Sequence, residues 1–338
     1  MDEEIYVNKH TNILIVGKAA TDFARKEVVY SESLQDVLEK YGESPLADAF
    51  CTARRMGVEY IFLMNLKQDQ DYFDVVDTLA DGDFAYVVFT SLFISDTFRD
   101  TYDSSLVHFT FAYLLGAIGK NGNSTYIITD KHASLYEDID SYLDDMRTQQ
   151  KAFLRHCSGR SKLRNVIFVA NNLKDYPVAT VPLAAALCAT PINEYPTSQY
   201  FGEAIFDIDQ WDYPLDMAYF KSNVTRETTV ENLLNMDRDI APEKVVFVDR
   251  LLKYIMRELD FQEFKGKIYR PYYKMLFNQK LVKYMDSLLD FIVKEYTIDS
   301  IEAYYDEEPG TVSMLARMTV LFVGCLESCT IEKGVEVG

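Results

Sequence analysis

Two stretches carry residue types that phosphate chemistry uses. Val16-Gly17-Lys18-Ala19 follows an apolar run, where a phosphate-binding loop would sit. Such a loop turns several backbone amides inward on glycines, and a Ser or Thr after its lysine holds the metal. Here one glycine precedes Lys18 and alanine follows it. The dinucleotide fingerprint also fails, because no further glycines follow at its spacing. A structural strand-end turn is the expectation at Gly17. The second stretch, His156-Cys157-Ser158-Gly159-Arg160-Ser161-Lys162-Leu163-Arg164, looks like a cysteine-phosphatase loop. That chemistry needs a low-pKa thiolate and an arginine at fixed spacing to clamp the phosphate. Leu163 occupies the arginine position, and Arg164 lies one beyond it. Cys157 also follows a helical pattern instead of ending a strand. A basic, exposed helix-to-strand loop is the better reading.

Metal chemistry finds no more support. His10, His108, His132 and His156 have no ligand spacing with each other or with the cysteines. Cys325 and Cys329 stand without a second pair. The acidic run Glu302 to Glu308 (EAYYDEE) lacks the alternating Asp and the Gly of a calcium loop, and reads as a solvated loop or an electrostatic contact. No carboxylate pair for acid–base work stands out among 53 acidic residues. The expectation is no catalytic residue, no cofactor and no metal.

The composition bounds the partners. The 338 residues carry a net charge of −19, which repels nucleic acid and anionic membrane. Direct nucleic-acid binding and membrane insertion are therefore not expected. Hydrophobic residues make up 48% and aromatics 14%, enough for a sizeable core and an aromatic surface for partners. The five cysteines are scattered and odd in number, as free thiols in a reducing compartment would be. The acidic start MDEEIYVNKH is no signal peptide, and no apolar run reaches the ~18 residues of a spanning helix. A soluble cytosolic protein is expected.

The elements follow from local signals. Ile13 to Val16 reads as a strand, Val28 to Tyr30 as a short second one, and Tyr60 to Leu66 as a third. Between them Ser33 caps a helix with Asp36 as capping-box partner, and Gly42 ends it. Ser44 caps the next helix with Pro45 at its first position. A parallel crossover is implied. Further strands are expected at Phe84 to Thr90, Thr125 to Thr129 and Asn165 to Ala170. Helices are expected near Tyr72 to Leu79 and over His108 to Ile118, Ile139 to His156 and Val181 to Ala189. Asp96 to Asp103 reads as an acidic loop. This half is α/β with a mainly parallel sheet. In the second part, Val248, Leu251, Leu252, Ile255 and Leu259 line one helix face. Leu281, Met285, Leu288, Leu289, Ile292 and Tyr296 line a longer helix, from Gln279 to Tyr296, whose other face carries Lys280, Lys283, Asp286, Asp290 and Lys294. Met318 to Val323 reads as a strand, and Thr330 to Val337 alternates without an obvious partner nearby. At the other end, Ile5, Tyr6 and Val7 form a β-favouring run with the same lack.

The order of these elements resembles the contractile tail sheath proteins of bacteriophages and related injection machines. Four features carry the likeness: a first strand ending in Gly and small residues (Ile13 to Ala20), a "VVY" strand with a Ser-initiated helix (Val28 to Tyr41), a Pro-Leu helix start with small residues (Pro45-Leu46, Ala49 to Ala53), and the closing Gly57-Val58-Glu59-Tyr60-Ile61. Val245 to Ile255 looks like the family's "V-x-R-L-hydrophobic-x-Y/F-I" helix, and Val181 to Ala189 like its central helix. Ile268-Tyr269-Arg270-Pro271-Tyr272 departs from the family's "T-x-W/F-x-P-N" segment, and the chain lacks room for large insertion domains.

The resemblance implies a fold and a role. The fold would be α/β of mixed α+β kind: an N-terminal arm (1–10), an α/β sheath domain (11–214), a helix-plus-strand core domain (215–326) and a C-terminal arm (327–338). The role would be structural, a homo-oligomer of six-fold rings stacked into a helical sheath around a tail tube protein, with baseplate and tail terminator proteins as further partners. It would assemble in the host cytoplasm and reside in the virion tail. Glu4, Ile5, Tyr6 and Val7 at one end and Ile331, Val335 and Val337 at the other would add strands to neighbours. Lys280, Lys283 and Lys294 would face the tube, by analogy with the family's near-C-terminal helix. The alternatives are a cytosolic α/β enzyme binding a nucleotide or phosphate, and a single-ring tail or baseplate component.

Overall fold

The structure, a computed structural model, describes residues 10–20, 28–30, 33–66, 84–93, 124–129, 137–156, 166–174, 178–194, 208, 217–222, 228–231, 242–259, 261–264, 269–305, 312–323 and 328–337. Outside the described residues lie Glu4 to Val7, the expected helices at 72–79 and 108–118, the acidic loop 96–103 and the loop 157–164 after His156. The chain divides into two compact units, Met1–Phe247 and Val248–Gly338.

The first unit is built on β1 (Asn12–Gly17), buried along its whole length. A continuous apolar run of this kind suits a parallel strand covered on both faces. β1 lies between β3 (Tyr60–Asn65) and β4 (Tyr86–Phe93), parallel to both. β5 (Thr125–Thr129) and β6 (Val166–Val169) continue the parallel series. β2 (Val28–Tyr30) closes the other edge antiparallel to β3, giving the order β2-β3-β1-β4-β5-β6. The mainly parallel α/β sheet and the crossover from β1 to β3 are therefore as the sequence implies.

The helices form where their caps allow. Ser33 Oγ accepts from Asp36 N at 3.2 Å and starts α1 (Leu34–Tyr41). Gly42 ends α1 at φ 66, a left-handed conformation glycine adopts without a Cβ penalty, and its amide donates to the Leu38 carbonyl. Asp36 does not complete a capping box; its carboxylate meets Lys40 at 3.0 Å instead. Ser44 Oγ accepts from Ala47 N and starts α2 (Pro45–Arg55). α3 (Ile139–His156) and the Ala-rich α4 (Thr180–Ala189) complete the described helices of this unit. Small side chains let α4 bury nearly its whole circumference, from Thr180 to Leu187. Leu46, Ala49, Phe50 and Ala53 of α2 join Ile13, Ile15, Ile61, Leu63 and Val88 of the sheet in one core.

A buried polar tie extends the sheet. Asn172 Nδ2 donates to the Phe220 carbonyl at 2.6 Å, and the Phe220 amide donates to Asn172 Oδ1 at 3.2 Å. The Ala218 amide donates to the Phe168 carbonyl, and the Ala170 amide to the Ala218 carbonyl. β7 (Tyr219–Ser222) thus leaves directly from the β6 edge and pairs antiparallel with β8 (Thr228–Glu231).

α5 (Pro242–Glu258) runs from the first unit into the second. Leu251, Ile255 and Leu259 are buried as expected, while Val248 and Leu252 are half-buried. Arg250, Lys253 and Arg257 on another side are buried as well. The Lys253 ammonium meets Asp249 at 2.7 Å; burial pushes its pKa down, and the Asp249 charge opposes that shift. α6 (Tyr273–Ser287) buries Phe277, Leu281 and Met285 at one-turn spacing. Phe277 stacks on Phe261 at 4.2 Å between centroids. The sheet of this unit is a meander, β11-β10-β9, of β9 (Val293–Tyr305), β10 (Val312–Phe322) and β11 (Ser328–Val337).

Three expectations are corrected here. The helix expected from Gln279 to Tyr296 ends at Ser287, and residues from Val293 onward form β9. Asp290 adopts φ 64, which breaks helical geometry, and Val293, Thr297, Ile298 and Ile301 are β-branched and pair with β10. Lys294 and Tyr296 therefore stand on a strand. The acidic run is not a loop at its start, because Glu302 to Tyr305 end β9, with Glu302 meeting Arg317 at 3.6 Å. Finally, the C-terminal segment has a partner in its own chain. β11 pairs antiparallel with β10, with Ile331 opposite Met318, Val335 opposite Met314 and Val337 opposite Val312.

Candidate assembly surfaces

The turn after β1 spends its backbone groups on contacts within the chain. A Cβ on Gly17 would collide with Thr90 Oγ1 of β4, so the glycine serves the close approach of two strands. The amides a phosphate loop would aim at its ligand are already used. Ala19 N donates to Asn65 Oδ1 at 2.9 Å, and Ala20 N donates to the Tyr41 carbonyl at 2.8 Å. The Gly17 carbonyl accepts from Leu66 N at 2.7 Å. Among the described residues no group of three His, Cys, Asp or Glu side chains is placed to hold a metal ion, and no helix is long and apolar enough to cross a membrane.

The second unit presents its surface around α6 and β9. Tyr272 is 53% exposed and Met275 56%, and Leu276 beside them is exposed too. Two grooves flank the helix. One lies against β9 and is lined by Lys274, Met275, Val282, Tyr296, Ile298 and Ile301. The other, on the side of the Gln262–Phe264 turn, includes Glu263, Tyr273, Leu276, Lys280, Lys283 and Tyr284. Burial, with Tyr254 and Glu258 nearby, pushes the Tyr284 phenol up.

The three lysines read from sequence do not share one helix face. Lys280 is engaged internally, at 3.1 Å from Glu263 and 5.5 Å from the centroid of the Phe261 ring. Lys283 is exposed and lines the same groove. Lys294 is exposed on β9 and lines neither groove.

The outer edge of β9 was not legible from the sequence reading. Among the described residues β9 pairs with β10 on one side and with no strand on the other. An edge strand presents unpaired N–H and C=O groups that template another strand. The sequence signal for the strand is the β-branched pairs Ile292-Val293 and Thr297-Ile298 after Asp290.

The described residues thus combine a mainly parallel sheet with a three-stranded antiparallel meander, and solved structures of sheath tail proteins share this fold. The chain matches the crystal structure of a sheath tail protein from Listeria innocua at TM-score 0.63 and 10% identity, covering 98% of this chain and 96% of that one. A sheath tail protein from Desulfitobacterium hafniense matches at TM-score 0.57 and 12% identity, with 96% of each chain covered. The sheath complex of an extracellular contractile injection system, solved in its contracted state, matches at TM-score 0.58 and 11% identity over 97% of this chain and 88% of that one. By sequence, no family model and no curated protein matches.

Proposed function

We propose that this chain is the structural subunit of a contractile tail sheath. Subunits form six-fold rings, which stack helically around a tail tube and contract to drive it through a host envelope. The likeness to sheath proteins over nearly the full length of both chains carries this reading. The outer side of β9, which no strand pairs with among the described residues, supports it, because open, non-closing contacts between copies generate helical assemblies. In this reading residues Glu4 to Val7 add a strand at the β9 edge of a neighbour. The β11 segment, with Ile331, Val335 and Val337, exchanges its place on β10 between copies. Lys283, with Lys280 once Glu263 releases it, faces the tube, and Lys294 lies beside the accepting edge. Baseplate and terminator proteins bind the ends of the stack. The protein performs no catalysis and uses no cofactor, in keeping with the consumed amides after Gly17.

Electron microscopy of the purified full chain tests the reading. Tubes or stacked rings are expected. Single rings alone would point to a baseplate-like component, and a strict monomer at high concentration would overturn assembly. A large thermal stabilisation by nucleotides would favour an enzyme instead.

A further inference from the structure

Helix α6 and the edge strand β9 are joined twice. The chain passes between them in residues 288–292, a tight turn with Asp290 left-handed. Within it the Val293 amide donates to the Leu288 carbonyl at 3.0 Å and the Asp290 amide to the Val293 carbonyl at 2.9 Å. Beyond the turn, the Tyr296 hydroxyl donates to Asp286 Oδ1 at 2.6 Å, with the Val282 carbonyl at 3.4 Å. Tyr296 also stands in the groove between the two elements, among Met275, Val282 and Ile298. A hydrogen bond to a charged group is among the stronger ones, and this one links the last turn of α6 to the strand.

We propose that the Tyr296–Asp286 hydrogen bond couples the face of α6 to the outer edge of β9, so that a strand added at the edge alters the helix. The inference rests on the reading of β9 as a strand-accepting edge. The physical warrant is a short, well-defined connection plus a side-chain clasp. Adding a strand fixes the backbone of β9, and a clasped helix must follow it, whereas an unclasped helix is tied by the turn alone. In an assembly this would let a helix surface respond to whether a neighbour's arm is docked. Tyr296 acts here as a positioning residue.

Hydrogen exchange on the full chain tests this, with a synthetic peptide of residues 1–10 as the added strand. In the wild type the peptide is expected to protect β9 amides and also to slow exchange in Leu281–Ser287 by about fivefold, at the low end of ordinary couplings between sites. In Tyr296→Phe the β9 protection should remain and the α6 effect should vanish. Asp286→Asn keeps an acceptor oxygen and should retain the effect, while Asp286→Ala should lose it. Equal α6 protection in wild type and Tyr296→Phe would overturn the coupling while leaving the edge reading intact. No protection of β9 in the wild type would overturn the edge reading and the coupling with it.

Discussion

Gly17 and Thr90 occupy the same space: any side chain at Gly17 would run into Thr90 Oγ1, with Thr90 Cβ 3.1 Å from the new carbon. Gly17 ends β1 and faces Thr90 in the middle of β4, beside the carboxyl end of β1 where open α/β sheets usually bind ligands. Here the gap is filled by a threonine. Gly17→Ala should destabilise the protein by about 1–3 kcal/mol through overpacking. Gly17→Ala with Thr90→Ala should recover much of the loss, because Oγ1 and Cγ2 are gone and only the tight contact with Cβ remains. Urea titration of the two variants and of Thr90→Ala alone gives the coupling; additive effects would show that the collision is relieved elsewhere.

Asn172 holds the β7 segment to the rest of the first unit by two hydrogen bonds to the Phe220 backbone, at a fully buried position. Asn172→Ala leaves a buried amide and a buried carbonyl unsatisfied. The expected cost is about 2–6 kcal/mol, since each of the two orphaned groups is worth roughly 1–3 kcal/mol. Chemical unfolding measures it, and a loss below about 0.5 kcal/mol would mean that water replaces the side chain.

Tyr296 gives a pH signature. Its phenol is pushed from 10.0 up to about 12, by burial first and then by its hydrogen bond to Asp286 and the Asp286 charge. A raised folded pKa means that the folded state holds the proton longer than the unfolded chain. The contribution is complete below the unfolded value of 10.0 and is lost as pH rises towards about 12. Between those limits wild-type stability should fall more steeply than that of Tyr296→Phe, as followed by thermal unfolding. Parallel slopes would place the clasp in solvent.

Truncations separate the two ends. Deleting residues 1–8 should abolish tubes and leave the melting temperature nearly unchanged. Deleting 330–338 should abolish tubes and also lower stability, because β11 covers one edge of β10 within the same chain. Microscopy and calorimetry on the same samples check both, and tubes from either truncation would mean that other contacts join the subunits.

The sequence by itself determined the described elements of the N-terminal half well. Ser33, Gly42, Ser44 and Pro45 mark helix ends through bonds within a few residues, and the apolar run Ile13 to Val16 needs no knowledge of its neighbours to read as a buried strand. It also disposed of a phosphate loop by missing glycines, although the use of the Ala19 and Ala20 amides by Asn65 and Tyr41 appears only when distant segments meet. What the tertiary structure decided lies in the second unit. Leu281, Met285, Leu288, Leu289, Ile292 and Tyr296 keep helical spacing past Ser287, so periodicity alone carries the helix too far. Pairing with β10 converts the remainder to strand, moves Lys294 off the helix and brings the Tyr296 hydroxyl to Asp286. It also gives the C-terminal segment a partner and, among the described residues, leaves β9 with no strand on its outer side. The physical reason is that caps and turns are satisfied locally, whereas a strand's hydrogen bonds are satisfied by residues the local sequence does not contain.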